Sequence, residues 1–229
     1  MSPLAARLAW LAFAAIPAIL PSGLTAQSTQ SKAAPVFEAD YSNPGLTPAH
    51  WVLTLSPDGS GHFRSERGSV PMDAAQGPEA ANIDRDIQVS AEYATHVFEQ
   101  ARLHRMFSTD CESHMKVAFQ GWKKFSYTGP DGTGSCTFNY SKDKAIQALG
   151  ESLVAVAATI VEGARLETLL QHDRLGLDKE MEYLTEAAAD GRVQQTVAIK
   201  PILEKLADDD DVMERVRKRA RALLARRDE

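Results

Sequence analysis

The sequence has no long hydrophobic run, and this limits what it can do at a membrane. A helix that crosses a bilayer needs about 20 apolar residues to span about 30 Å of hydrocarbon. The two most apolar stretches, residues 8–20 and 153–161, are shorter than that, and Pro17 interrupts the first. We therefore expect no membrane span in the mature chain.

Positive charge is not in excess either. The chain carries 25 Lys and Arg against 31 Asp and Glu, a net charge of −6. This balance disfavours broad binding to nucleic acids or to anionic membranes. The one basic run, residues 215–221, is offset by Glu214 and by the four aspartates at 208–211. We interpret it as a salt-bridged, solvent-facing helix, and nucleic acid is not an expected partner.

Cysteine is nearly absent. Cys111 and Cys136 are the only two, and their separation is far from the CxxC spacing of a redox motif. An isolated pair outside the cytoplasm is typical of a disulfide. We predict that Cys136, on the inner face of a strand, bonds to Cys111 just past a helix.

The N-terminal residues have the pattern of a cleaved export signal. Arg7 precedes the apolar run, residues 21–23 break it, and Ala26 places a small residue before Gln27. The pattern predicts a signal peptide at residues 1–26 and a mature protein that begins at Gln27, periplasmic or secreted. Residues 27–48 are interpreted as a disordered lead-in.

Side-chain periodicity divides the rest of the chain near residue 141. Residues 49–141 contain one predicted helix, 91–105, capped by Ser90. They also contain five segments of period 2, which predict strands: 51–56, 62–66, 115–120, 124–128 and 135–140. Residues 142–229 have a helical period, with a long helix to about residue 172 and about three further helices. The predicted fold is α+β: an antiparallel sheet of about five strands in ββαβββ order, packed with the long helix and a helical tail that shares its core.

Two sequence motifs, together with this order of elements, resemble those of a known group of proteins. The hairpin W-x-L-x-L-x-x-D-G-x-G-x-F at residues 51–63 and the junction HDRLGLD at residues 172–178 are similar to those of exported bacterial proteins of uncharacterised function. The resemblance implies no particular activity. Separately, an acidic turn followed by VMERVRKRARALL makes residues 190–225 resemble a HEAT-type helix pair, although a solenoid needs several such units.

Catalytic and metal-binding motifs are incomplete. Ser141 and Lys144 fit the S-x-x-K motif of penicillin-binding proteins, but the companion motifs S-D-N and K-T-G are missing, so we interpret Ser141 as a helix N-cap. Asp110, Glu112 and His114 could hold a metal, but a solvated strand edge is the preferred interpretation. Neither HExxH nor a tight His/Cys cluster occurs. We assign no catalytic, cofactor-binding or metal-binding residue and expect no cofactor.

One polar junction remains, His172, Asp173 and Arg174 at a helix end, and it is where we would look first for a functional patch. The favoured hypothesis is an exported, non-enzymatic binding or scaffold protein with an unknown protein partner. One alternative is an envelope hydrolase or other enzyme whose site is assembled from distant residues, which a deep pocket with convergent His, Asp or Ser groups would favour. Another is an inhibitor-like protein that acts on an envelope enzyme through a protruding loop at residues 68–86.

Overall fold

The computed structural model describes residues 34–68 and 82–226. The predicted signal peptide, the start at Gln27, the first part of the lead-in and most of the 68–86 loop lie outside the described residues. Lys32–Glu229 form one compact unit, to which all elements below belong.

The fold is α+β, as predicted, and the described residues form one sheet of six strands and five α-helices. Every pair of neighbouring strands is antiparallel, in the order β4-β3-β2-β1-β5-β6. The strands are β1 Val36–Ser42, β2 His50–Leu55, β3 Ser60–Glu66, β4 Asp84–Gln88, β5 Trp122–Gly129 and β6 Gly132–Phe138. The helices are α1 Ala91–Leu103, α2 Lys144–His172, α3 Gly176–Ala189, α4 Lys200–Asp208 and α5 Glu214–Leu224.

The lead-in prediction was wrong for residues 36–42. These residues form β1, which lies near the centre of the sheet between β2 and β5. Phe37, Ala39 and Tyr41 point inward and are buried, while the residues between them face outward. The reason is that an alternating segment with an aromatic side chain at each end gains more by covering the core than by remaining solvated.

Two further strand assignments needed correction. Residues 115–120, predicted as a strand, form an irregular loop, because both sides of β5 are already paired, with β1 and with β6. Residues 84–88, which were not predicted as a strand, form β4 at the opposite edge of the sheet.

Buried side chains form two hydrophobic clusters, and α2 contributes to both. The first contains the inner face of the sheet, α1 and α2 from Ile146 to Ala164. The second contains the end of α2, from Leu166, together with α3, α4 and α5. The buried core that the sheet and the helical tail were predicted to share is therefore two clusters, joined by one helix. The division follows from the length of α2, whose 29 residues extend beyond the sheet.

Hydrogen bonds attach the segment before α4 to α2 and to the start of α1. The Ser152 hydroxyl donates to Gln194 Oε1 at 2.6 Å, and the Gln194 backbone N–H donates to Thr159 Oγ1 at 3.1 Å. The Ser90 N–H donates to Gln195 Oε1 at 2.8 Å. The segment before α4 is thus bonded both to α2 and to the start of α1.

Candidate functional site

The predicted disulfide is confirmed. Cys111 and Cys136 are bonded, their Cα atoms are 5.7 Å apart, and both side chains are buried. Cys136 shares the inner face of β6 with Phe138, as the alternation predicted. The bond attaches the chain that follows α1 to the edge strand of the sheet.

A left-handed turn leads from α1 to the disulfide. Arg105, Met106 and Phe107 all have positive φ, between 55° and 62°, which is uncommon for residues other than glycine. The turn places Phe107 in the core, with its ring centroid 5.3 Å from that of Phe125. Next to it, the Ser108 hydroxyl donates to the Thr133 carbonyl of β6 at 3.3 Å. The chain therefore enters the next loop already fixed against the sheet edge.

Residues 111–121, which we call the aromatic loop, are held at their far end by Asn139. Its side-chain N–H donates to the Ala118 carbonyl at 3.2 Å, and its Oδ1 accepts the Gln120 N–H at 2.6 Å. The Tyr41 hydroxyl donates to the Gln120 carbonyl at 2.9 Å. These bonds supply the backbone partners that the irregular loop lacks.

Glu112 holds the near end of the aromatic loop. Its Oε2 accepts the Asn139 N–H at 2.7 Å, and its Oε1 accepts the Ser113 N–H at 2.8 Å. Burial opposes ionisation of this carboxyl group, but the hydrogen bonds from Asn139 and Ser113 outweigh it and lower the pKa of Glu112. Glu112 is therefore a charged anchor for the loop.

Lys123 lies on the inner face of β5, next to the loop, and only 4% of its surface is exposed. Its Nζ donates to the Asn139 carbonyl at 3.1 Å and the Gly121 carbonyl at 3.4 Å. The same atom is 5.8 Å from the ring centroid of Tyr41. Burial lowers the pKa of the Lys123 amine. The side chain is enclosed, so it acts in packing and not as a surface group.

The outer side of this region exposes large apolar side chains. Met115 is 53% exposed, Phe119 51% and Trp122 49%. The rings of Phe119 and Trp122 meet edge to face, with centroids 6.1 Å apart. Lys116, in the same loop, and Lys124, on the same face of β5 as Trp122, are also exposed. We call these five residues the loop surface: Met115, Lys116, Phe119, Trp122 and Lys124.

The loop surface contributes two exposed lysines to an acidic protein. Residues 113–130 contain no Asp or Glu. By contrast, the part of the outer sheet face formed by β1, β3 and β4 carries five acids: Glu38, Asp40, Glu66, Asp84 and Asp86. One of these acids, Asp40, is the cross-strand partner of Lys124, so acidic and basic side chains meet at the edge of the loop surface.

The predicted patch at His172, Asp173 and Arg174 is a helix junction. Asp173 follows the last residue of α2, and its Oδ1 accepts the Gly176 N–H at 3.2 Å. Arg174 approaches Asp209 and Asp211, each at 3.6 Å. These contacts join the end of α2 to the start of α3 and to the turn before α5. A functional role for the patch stays a prediction.

Ser141 does not cap α2, contrary to the prediction. Asp143 is the cap and accepts the Ala145 N–H at 2.9 Å, because its side chain lies one position before the helix. The Ser141 hydroxyl is buried and accepts the Asp143 N–H at 3.2 Å. Ser141 therefore binds the backbone of the capping residue and does not bind the helix itself.

The three residues weighed as metal ligands are not convergent. His114 contacts Asp110 at 2.7 Å, whereas Glu112 is directed to Asn139. Within residues 34–68 and 82–226, no group of three or more His, Cys, Asp or Glu side chains could hold a metal ion.

The basic run in α5 forms the ion pairs that were predicted. Arg215 and Arg219 both contact Asp178 Oδ1, at 2.6 and 2.7 Å. Arg217 contacts Glu214 at 2.6 Å and also Asp210. Most of this run is therefore neutralised within the molecule.

A cleft of about 260 Å³ lies between the start of α1 and the helices α4 and α5. Lys200 and Arg226 are its charged lining residues, and Leu203 and Leu223 form part of its apolar wall. Its described lining includes neither a histidine nor a carboxylate. A second, smaller hollow of about 70 Å³ on the outer sheet face is lined by His50, Val52, Arg64 and Glu66.

The chain matches no known family model and no curated protein. Function must therefore be argued from the residues themselves. Of the helices in the described part of the chain, none combines the length and apolarity that a membrane crossing requires.

Sequence reasoning missed the loop surface, although part of it could have been found. The alternation of the strand predicted at 124–128 puts Phe125 and Tyr127 on one face, and extending it puts Trp122 and Lys124 on the other. The stretch without acids from 113 to 130 is also visible in the sequence. Phe119, however, lies in the strand predicted at 115–120, which does not form.

Proposed function

We propose that the protein is exported and acts outside the cytoplasm as a non-enzymatic binding protein, with the loop surface as its contact surface. The observation that carries this proposal is the pair Phe119 and Trp122, half exposed on a loop that is fixed from both ends. Large apolar patches on the surface of a protein are commonly interaction sites. Aromatic residues and Met are enriched in the cores of such interfaces.

The fixed loop favours binding for an energetic reason. Association usually loses free energy when it orders side chains and loops. Here the disulfide at Cys111, the carboxylate of Glu112 and the side chain of Asn139 hold the loop before any partner arrives. Phe119 and Trp122 are already about half buried, so covering each of them contributes about half of the roughly 1.5–3 kcal/mol that full burial of a large apolar side chain gives. Little of this is lost to ordering the loop.

Two observations support action outside the cytoplasm, in the periplasm or beyond the cell. A structural disulfide persists most readily in an oxidising compartment. Residues 1–26 have the charge, apolar run and small residue of an export signal. N-terminal sequencing of exported material should begin at Gln27, and membrane-retained protein that still begins at Met1 would contradict export with cleavage.

Site-specific photo-crosslinking in exporting cells tests the contact surface. A photoreactive phenylalanine analogue at position 119 should give a discrete adduct, with a protein or with a lipid, because that side chain lies at the contact. Leu103 and Leu175 are exposed apolar positions outside the loop surface and serve as matched controls. Equal labelling at positions 103, 119 and 175 would show that the loop surface has no preferred partner.

A further inference from the structure

We propose that His62 is a pH-sensitive link on the outer face of the sheet, which holds the edge strand β4 to β3 more tightly when its imidazole ring is protonated. The ring lies between two carboxylates of β4. Its Nε2 atom is 2.9 Å from Asp84 Oδ1, and its Nδ1 atom is 2.9 Å from Asp86 Oδ1. These residues lie outside the loop surface, so the inference does not rest on the proposed binding function.

The two contacts require the charged form of the ring. A neutral imidazole donates a hydrogen bond from one nitrogen only, and its other nitrogen is an acceptor. An ionised carboxylate also only accepts. Both distances are those of hydrogen bonds, so the two bonds exist together only when both ring nitrogens of His62 carry a proton. A neutral ring loses one of them and places a lone pair against a carboxylate oxygen.

Strand alternation and register bring the three side chains together. Asp84 and Asp86 are two residues apart in β4, so both side chains lie on the outer face of the sheet. His62 is the cross-strand partner of Asp86, and Arg64 is that of Asp84. The imidazole therefore lies beside both carboxylates without leaving its place in β3.

The other charged groups on this face do not reverse the preference for the protonated ring. On β3 itself, Arg64 is the neighbouring cation, and its guanidinium is 3.7 Å from Glu66. The cross-strand partner on β2 is the uncharged Thr54, and Glu38 of β1 lies one strand further away.

The pKa of His62 is raised as a result. The hydrogen bond to Asp86 has the largest effect, and the charge and hydrogen bond of Asp84 add to it. Together these effects outweigh partial burial, which alone would lower the pKa of an imidazole. The stabilisation from His62 is therefore fully present below the unfolded-state pKa of about 6.5, and it is lost as the pH rises through the higher pKa of the folded protein.

β4 remains attached by other contacts when the ring is neutral. It keeps its ladder with β3 and the buried Ile87. It also keeps the pair Arg85 and Glu167, in which two guanidinium nitrogens lie 3.0 and 2.8 Å from the carboxylate oxygens. The strand should thus stay folded at high pH but open more often. One opposite-charge pair across two strands changes such an opening equilibrium roughly 1.5- to 5-fold.

Two NMR measurements on the purified protein test the proposal. The first is the titration of the His62 ring, whose signal is identified by its absence in His62→Gln. Its midpoint should lie above the ordinary histidine value of about 6.5. The second is amide hydrogen exchange, expressed as protection relative to the unfolded chain so that the intrinsic effect of pH cancels. Between about pH 6 and about pH 9, the protection of the β4 amides should fall roughly 1.5- to 5-fold for each pair lost, and the amides of the central strand β1 should change less.

Two variants make the second measurement specific. His62→Gln should remove the pH dependence of β4 protection, because an amide side chain does not titrate. His50→Gln, on the same face, is the matched control. His50 has Asp40 Oδ1 within hydrogen-bond distance at 2.9 Å, whereas Glu66 Oε2 is 3.8 Å away. One such bond needs no second ring proton, so the β4 amides of His50→Gln should follow those of the unchanged protein.

Three results would overturn the proposal. A titration midpoint at or below the ordinary value would show that the two carboxylates do not hold His62 in its charged form. Protection of β4 that does not change with pH would show that the ring does not hold the strand. So would a pH dependence that persists in His62→Gln. Each of these results leaves the proposed function unaffected, because that function concerns the loop surface.

Discussion

At the scale of single residues, Asn139 takes the place of the neighbouring strand that the aromatic loop lacks. It satisfies the Ala118 carbonyl and the Gln120 N–H, 21 and 19 residues away in the chain. We expect Asn139→Ala to lower the free energy of unfolding by about 1–3 kcal/mol, since it leaves both backbone groups without their partner. Urea denaturation measures this, with Ser135→Ala, at an exposed position on the preceding strand β6, as control. Equal stability of the two variants would show that water replaces the amide.

Glu112 makes the stability of the folded protein depend on pH, and the direction of its pKa shift defines the direction of that dependence. Its pKa is lowered in the folded protein, so its stabilisation is present above the unfolded-state pKa of about 4.3. It is lost as the pH falls through the folded-state pKa. Glu112→Gln should therefore be less stable than the unchanged protein by about 1 kcal/mol at neutral pH, and the difference should vanish in acid. Melting curves at several pH values measure it, with Glu38→Gln on the outer sheet face as control. If the difference in stability does not change with pH, the charge of the Glu112 carboxylate does not contribute to it.

At the scale of elements, the two glycines inside α2 differ in how much space is available for an added Cβ atom. Alanine normally stabilises a helix interior by about 1 kcal/mol relative to glycine. At Gly163, however, a Cβ would lie 2.2 Å from Cγ2 and 2.9 Å from Cβ of Ile199, a buried residue. At Gly150 the nearest atom is Cδ of the flexible Lys123 side chain, at 3.0 Å.

We therefore expect Gly163→Ala to destabilise the protein by a net of about 1–2 kcal/mol, since overpacking of a core exceeds the gain in helix propensity. Gly150→Ala should be close to neutral. Denaturant midpoints compare the two variants. Adding Ile199→Ala to Gly163→Ala should cost less than Ile199→Ala costs alone, and strict additivity of the two changes would argue against the clash.

How much of the fold could be predicted differs between its elements. The helices, above all α2, have a 3.6-residue apolar repeat that needs no knowledge of neighbours, and their predicted extents were close to those observed. β1 was missed because its evidence is non-local: it pairs with β5, far along the chain. The loop at residues 115–120 alternates like a strand, and only the pairing of β5 on both sides prevents it from becoming one. The exposure of Phe119 depends on that same pairing, so the local pattern could indicate Trp122 and Lys124 but not Phe119.

At the scale of the whole molecule, the two hydrophobic clusters should unfold together, because one unbroken helix belongs to both. Leu153 in the first cluster and Leu184 in the second are both fully buried. We expect Leu153→Ala and Leu184→Ala each to cost about 2–5 kcal/mol. Circular dichroism and the fluorescence of Trp51, which packs in the first cluster, should report one shared transition in each variant. A Leu184→Ala protein whose helical signal is lost before its Trp51 signal would show that the second cluster unfolds separately.

The position of β1 in the sheet has a consequence for the order in which the chain becomes available to fold. The strands β1 to β4 can form a meander as soon as residue 88 has been made, but the other edge of β1 remains unpaired until β5 arrives, about 90 residues after β1. At synthesis rates of about 5–20 residues per second, this delay is roughly 5–20 s. During that interval a strand rich in aromatic side chains presents an open edge, the feature most prone to strand-to-strand aggregation. The hairpin β5–β6 closes this edge and brings in Cys136 at the same time, so the newly made chain is protected only when its second half has emerged.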